Sequence, residues 1–229
     1  MTTEKKYFMK LVILSLLTIT LVVSVLILIP GKGTGNMTFR QRVLKKIYPL
    51  VMKTGKTKVS SKNDSSIIKT GADFYALEFL LNDGTPFQMS SLKGKKVLIV
   101  NTASDCGYTG QYADLQKLFE VYKDKLSIIA FPANDFANQE SGTDEKIAGF
   151  CKKNYGVTFH LAKKSVVIKN EQQHEVYKWL TNAELNGWNN QAPTWNFCKY
   201  LIDEKGELRQ FYNSSVSPLD QKVTAEIEK

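Results

Sequence analysis

Cys106 lies in the stretch NTASDCGYTGQY, five residues after the apolar run KVLIV gives way at Asn101. KKVLIVN reads as a short buried strand, and Leu115, Leu118, Phe119 and Tyr122 follow at helical spacing between Gly110 and Lys123. The cysteine is therefore expected in the loop that leaves a strand's carboxyl end and enters a helix. Free backbone N–H groups and a partial positive charge at a helix N-terminus favour a thiolate. That would lower the thiol pKa and make Cys106 a nucleophile near neutral pH. On position alone, a reactive thiol and an inert loop thiol both remain open.

The other titratable groups narrow the chemistry. Cys106, Cys151 and Cys198 are too few and too widely spaced for a disulfide scaffold. No CxxC pair occurs and two histidines supply no zinc spacing, so neither a metal nor another cofactor is expected. Cys198 opens a hydrophobic strand and reads as packing.

The elements that must position Cys106 follow a simple order. FYALEFLL, Asn82-Asp83-Gly84 and TPFQM read as a hairpin. LSIIAFP is the next buried strand after the helix, and a second helix begins at Thr143 and runs through Ile147, Phe150 and Cys151 to Gly156. SVVIKN is expected as a strand, VYKWLTNAE as a helix, and CKYLID and LRQFYN as paired strands. Ser217 is expected to cap a final helix with Pro218 in its first turn and Asp220 at its third position. The order predicts an α/β domain of thioredoxin-like fold, a central mixed β-sheet flanked by helices, over residues 74–229.

Ahead of that domain the chain changes character. Residues 1–73 hold 13 Lys/Arg against 3 Asp/Glu, whereas residues 74–229 hold 18 against 19. The basic charge thus belongs to the N-terminal part, and a nucleic-acid surface on the folded domain is not expected. After a short basic stretch at 1–10, the apolar run Leu11–Ile29 reaches roughly 28 Å as a helix, enough to cross a bilayer, and lacks a signal-peptide cleavage site. A single-pass transmembrane helix is expected there. Basic residues flank both its ends, so the positive-inside bias assigns neither side to the domain. Residues 30–73 read as a basic amphipathic helix, MTFRQRVLKKIYPLV, ending near Pro49, then a flexible linker from Lys53 to Gly71. Phe39, Val43 and Ile47 would face membrane lipid headgroups, or the helix would pack on the domain.

Three segments in order carry a resemblance. NTASDCGYT resembles the N-x-A-S-x-(Cys or selenocysteine)-G-x-T segment of the glutathione peroxidase family. FPANDFANQE, from Phe131 to Glu140, is similar to that family's FPCNQFGxQE, and Trp195-Asn196-Phe197 to its WNF. The resemblance implies a catalytic group of Cys106, Gln139, Trp195 and Asn196. Amides and an indole N–H would hold the sulfur anion and the departing peroxide oxygen. It further implies that Cys151 is the resolving cysteine of a thioredoxin-type member, forming a disulfide with Cys106 that a thioredoxin-like protein reduces; glutathione is the alternative reductant. The substrate class implied is hydrogen peroxide and organic hydroperoxides, lipid hydroperoxides among them.

The sequence departs from the family pattern at three places. Ala133 replaces a frequent cysteine, Asp135 a glutamine and Ala137 a glycine, which leaves the placement of Gln139 open. Cysteine in place of selenocysteine implies a less reactive nucleophile. The short stretch TNAELNGWNNQAPT lacks a loop that accompanies tetramers, implying a monomer. A competing reading is a membrane-tethered, non-enzymatic peroxide sensor that relays oxidation to a partner.

Overall fold

The structure, a computed structural model, describes residues 37–62 and 72–229. Its first element is helix α1 (Phe39–Thr54), opened by a capping box in which Thr38 and Gln41 exchange side-chain and backbone bonds. It continues through Pro49 rather than stopping there. The expected linker then yields a strand, β1 (Val59–Ser61), where the sheet edge offers a partner. After the undescribed residues 63–71, a turn of 3-10 helix leads into the hairpin β2 (Glu78–Leu80) and β3 (Pro86–Gln88), as the Asp-Gly turn predicts. Gly84 has φ +87°, the conformation that turn requires.

The core follows in order: β4 (Lys96–Thr102), α2 (Gln111–Tyr122), β5 (Leu126–Pro132), α3 (Asp144–Tyr155) and β6 (His160–Leu161). Two short helices, α4 (Glu175–Leu180) and α5 (Ala183–Asn186), precede β7 (Lys199–Ile202), β8 (Leu208–Tyr212) and α6 (Gln221–Glu228). The main sheet runs β1-β8-β7-β4-β5-β6, with β4, β5 and β6 parallel and the rest antiparallel. This is the mixed sheet the sequence predicts.

Alternation along the strands sorts the core into two layers. Leu98, Val100, Ile128, Ala130 and Leu201 face α2, α3 and α6. Val97, Ile99, Ile129, Phe131 and Tyr200 face α4 and the hairpin. Cys106 and Cys151 belong to the first layer and Cys198 to the second. Parallel strands with a helical crossover demand cover on both faces, and every residue of β4 and β5 is buried accordingly.

Three expectations are corrected. SVVIKN is not a strand: its backbone is held by loop contacts, Ser165 N–H to the Pro132 carbonyl and Val167 N–H to Asp135 Oδ2, both 2.9 Å. The strand beside β5 comes earlier, at β6. VYKWLTNAE splits in two because the Asn182 side chain caps a new helix. Asp220, not Ser217, caps α6, while Ser217 closes the preceding turn by accepting from Leu219 N–H. Among the described residues no helix is long and apolar enough to cross a membrane. The run Leu11–Ile29 lies outside them.

Candidate active site

Sheet register gathers the site. β4 and β5 are paired so that Thr102 and Pro132 lie opposite one another at their carboxyl ends. Antiparallel β7 begins at the same edge, Lys199 opposite Val100. The loop holding Cys106, the loop holding Gln139 and the segment Trp195-Asn196-Phe197 must therefore meet at one end of the sheet. Carboxyl ends of parallel strands are where α/β folds commonly place their chemistry.

The Cys106 loop is locked by its own threonine. Thr109 Oγ1 accepts from Cys106 N–H at 3.0 Å and lies 2.8 Å from the Ala103 carbonyl, to which it donates. The turn that results aims Tyr108 N–H at Cys106 Sγ, 3.4 Å away. The side chains of Trp195 and Asn196 also bear on the sulfur and favour its anion, with the Arg40 guanidinium adding a weaker pull. Asn196 Nδ2 in turn donates to Gln139 Oε1 at 3.1 Å. Gln139 is joined to the loop by its carbonyl, which accepts from Asp105 N–H at 3.0 Å. All four expected catalytic residues are thus brought together, Gln139 through Asn196.

Departures from the family pattern have local consequences. Ala137 and Asn138 hold φ +53° and +52°. For alanine this left-handed conformation costs about 1 kcal/mol, which a glycine would avoid. Asp135 accepts from Val167 N–H at 2.9 Å. Phe136 packs on Trp195 with ring centroids 5.8 Å apart. Gln139 still reaches Asn196.

One expectation fails. The loop was expected to display a thiol of lowered pKa, yet Cys106 is 0% exposed and its pKa is pushed up to about 11. Loss of water around the sulfur outweighs the donors that oppose it. Trp195, beside it, is 37% exposed. Cys151 is equally enclosed, next to Tyr112, and burial drives its thiol well above the ordinary range. All three cysteines are free thiols. Cys198 is packed in the core as expected, 3.6 Å from Ser214 Oγ.

Two buried polar residues of the site escape a reading of the sequence for reactive groups. Asn101 ties the thiol strand to the Trp195 segment: Nδ2 donates to the Trp195 carbonyl at 3.0 Å and Oδ1 accepts from Cys198 N–H at 3.0 Å. Its signal was an amide inside the otherwise apolar KVLIVN. Glu140, buried behind the loop, accepts from Ser104 Oγ at 3.0 Å, and burial raises its carboxyl pKa to about 8.

Comparison with known proteins agrees with this geometry. The Glutathione peroxidase family profile matches residues 74–181. Glutathione peroxidase-like peroxiredoxin HYR1 of Saccharomyces cerevisiae is 43% identical over 156 residues, spanning 68% of this chain and 95% of that protein. Glutathione peroxidase homolog BsaA of Staphylococcus epidermidis is 43% identical over 149 residues, 65% of this chain and 92% of its own. Among solved structures, Trgpx in its apo form aligns with a TM-score of 0.53 at 28% identity, covering 70% of this chain and 98% of that one. T. cruzi GPX1 aligns with a TM-score of 0.51 at 27% identity, covering 67% of this chain and 92% of that one. With its thiol loop, amide pair and tryptophan assembled at one sheet edge, the chain belongs to the glutathione peroxidase family and is an oxidoreductase acting on peroxide.

Proposed function

We propose that the chain is a membrane-anchored, two-cysteine thiol peroxidase. The Cys106 thiolate attacks one peroxide oxygen; the O–O bond breaks, the second oxygen leaves as alcohol or water after taking a proton, and Cys106 becomes a sulfenic acid. The Cys151 thiol then displaces that hydroxyl as water, leaving a Cys106–Cys151 disulfide. A dithiol protein of thioredoxin type reduces it by exchange. The carrying observation is the convergence of Tyr108 N–H, Trp195 and Asn196 on one sulfur, with a second thiol in the same apolar layer.

Each donor has a defined role. Tyr108 N–H and the Asn196 amide hold the sulfur anion, and the Trp195 indole stands where charge develops on the departing oxygen. Gln139 orients the Asn196 amide. Because both thiols are enclosed, disulfide formation needs local opening of the loop or of α3. Leu11–Ile29 supplies the anchor in this reading, and the tether directs the enzyme to hydroperoxides of the surrounding lipid.

A coupled assay on the full chain, wild type and Cys151→Ser, with thioredoxin and with glutathione, tests the cycle. Thioredoxin-driven turnover should vanish in the variant. Equal thioredoxin rates in both proteins would refute Cys151 as the resolving thiol.

A further inference from the structure

Cys106 has its donors in place but no path to solvent, and the element lying across it is α1. Arg40 Nη2 donates to the Asp105 carbonyl at 3.3 Å. Both Val51 methyls stand 4.0 Å from where a Cβ on Gly107 would be. The helix therefore bonds the residue before Cys106 and lies beside the one after it. Tyr48 donates to Asp114 Oδ2 on α2 at 2.5 Å, and its ring lies so close to Gly110 that a Cβ there would collide with it. Lys45 Nζ reaches the Asn154 carbonyl at 3.2 Å, near the end of α3, the helix that carries Cys151.

This attachment is shallow. Gln41 is the one fully buried residue of α1, so lifting the helix exposes little core. Its outer face is unlike an ordinary solvated one. Phe39 is 62% and Leu50 63% exposed, and Arg42, Lys46 and Lys53 are exposed beside them. At 3.6 residues per turn these five fall within about 80° of arc. The helix carries five Lys/Arg and no Asp/Glu. That pattern of cations and large apolar side chains complements an anionic headgroup layer. The chain also delivers it there: seven residues separate Ile29 from Met37, a reach of at most about 29 Å.

We propose that α1 is a cover over the Cys106 pocket that an anionic lipid surface draws off, opening the thiol. Docked, the helix offers lipid only its outer face. Released, it also offers Arg40 and Lys45, which now bond the Asp105 and Asn154 carbonyls, and Leu44, Val51 and Met52, which the domain now half-covers. Lipid therefore binds the released state more tightly, which is the condition for it to shift the equilibrium. The inference rests on the membrane-anchored reading above.

The test uses the full chain in vesicles of phosphatidylcholine, with and without phosphatidylserine. Alkylation of Cys106 by iodoacetamide is followed by peptide mass and requires no turnover. The two cations that come away from the domain on release, Arg40 and Lys45, should speed labelling about tenfold when phosphatidylserine is present. Equal rates in the two vesicles would overturn the proposal. Gly110→Ala and Tyr48→Ala, which disturb the docked face, should raise labelling in phosphatidylcholine alone; no rise in either would mean α1 is not the cover. Lys46→Glu with Lys53→Glu should abolish the lipid difference, and its persistence would remove the outer face from the account. Labelling that rises with protein concentration without phosphatidylserine would assign the face to a second copy and sink the proposal. Carbonate extraction reads the anchor separately: lipid-dependent labelling of an extractable chain supports the cover and refutes the anchor.

Discussion

Cys106 and Cys151 are equally enclosed and share one apolar layer, yet their surroundings differ. Cys106 stands at the approach to α2, where Tyr108 N–H, Trp195, Asn196 and Arg40 all pull its pKa back down against burial, leaving it at about 11. Cys151 lies on the inner face of α3, where the Tyr112 side chain favours its anion and Glu140 disfavours it. Burial sets how far both thiols rise, and local dipoles set which ionises first. The proposed order of the cycle, attack by Cys106 and resolution by Cys151, accords with that difference.

The largest break in the comparison is to delete each thiol. Cys106→Ser should lower peroxide consumption by about a thousandfold or more, because no other group in the site is a comparable nucleophile. Cys151→Ser should keep one oxidation per chain and accumulate a sulfenic acid that dimedone traps. Stopped-flow peroxide loss with mass analysis separates the two. A Cys151→Ser protein without the single oxidation would make the thiols interdependent rather than sequential.

A smaller effect sharpens the contrast. Asn196→Ala removes a donor that bears on Cys106 and leaves the surroundings of Cys151 alone, so turnover should fall about a hundredfold. Alkylation of Cys106 should rise about tenfold per pH unit from pH 7 to 10 in both proteins, since the thiolate fraction grows that way below a pKa near 11. In Asn196→Ala the curve should shift to higher pH. A fall in turnover with an unshifted alkylation curve would move the role of Asn196 from the sulfur to the departing oxygen.

Much of the site was legible because the motif letters are structural as well as chemical. Cys106, Gln139, Trp195 and Asn196 meet because β4, β5 and β7 end at one edge, and the alternation of apolar runs predicted that sheet. Ala137 shows what a letter hides: only the backbone reveals that φ is +53° there. The SVVIKN segment has strand composition but its N–H groups are claimed by Pro132 and Asp135, contacts no local pattern encodes. Val59–Ser61 looked like linker because pairing with Tyr212, Phe211 and Gln210 lies some 150 residues away in sequence. The burial of Cys106 was illegible for the same reason: its flanking contacts come from Arg40 and Val51 on a helix outside the family match.

Glu140 gives the finest probe of the two environments, since its charge would raise the pKa of Cys151. Its carboxyl is held neutral up to about 8 by burial, while an unburied one ionises near 4.5. A folded pKa above the unfolded value means that its contribution to stability is complete below about pH 4.5 and is lost as pH rises through about 8. Glu140→Gln keeps an oxygen for the Ser104 hydroxyl but cannot ionise. Between about pH 5 and 9, wild type should lose roughly 4 kcal/mol relative to this variant, read from urea unfolding at each pH. Parallel stability curves would mean that Glu140 is already ionised and paired in the fold, and the extra rise of Cys151 over Cys106 would then include its charge.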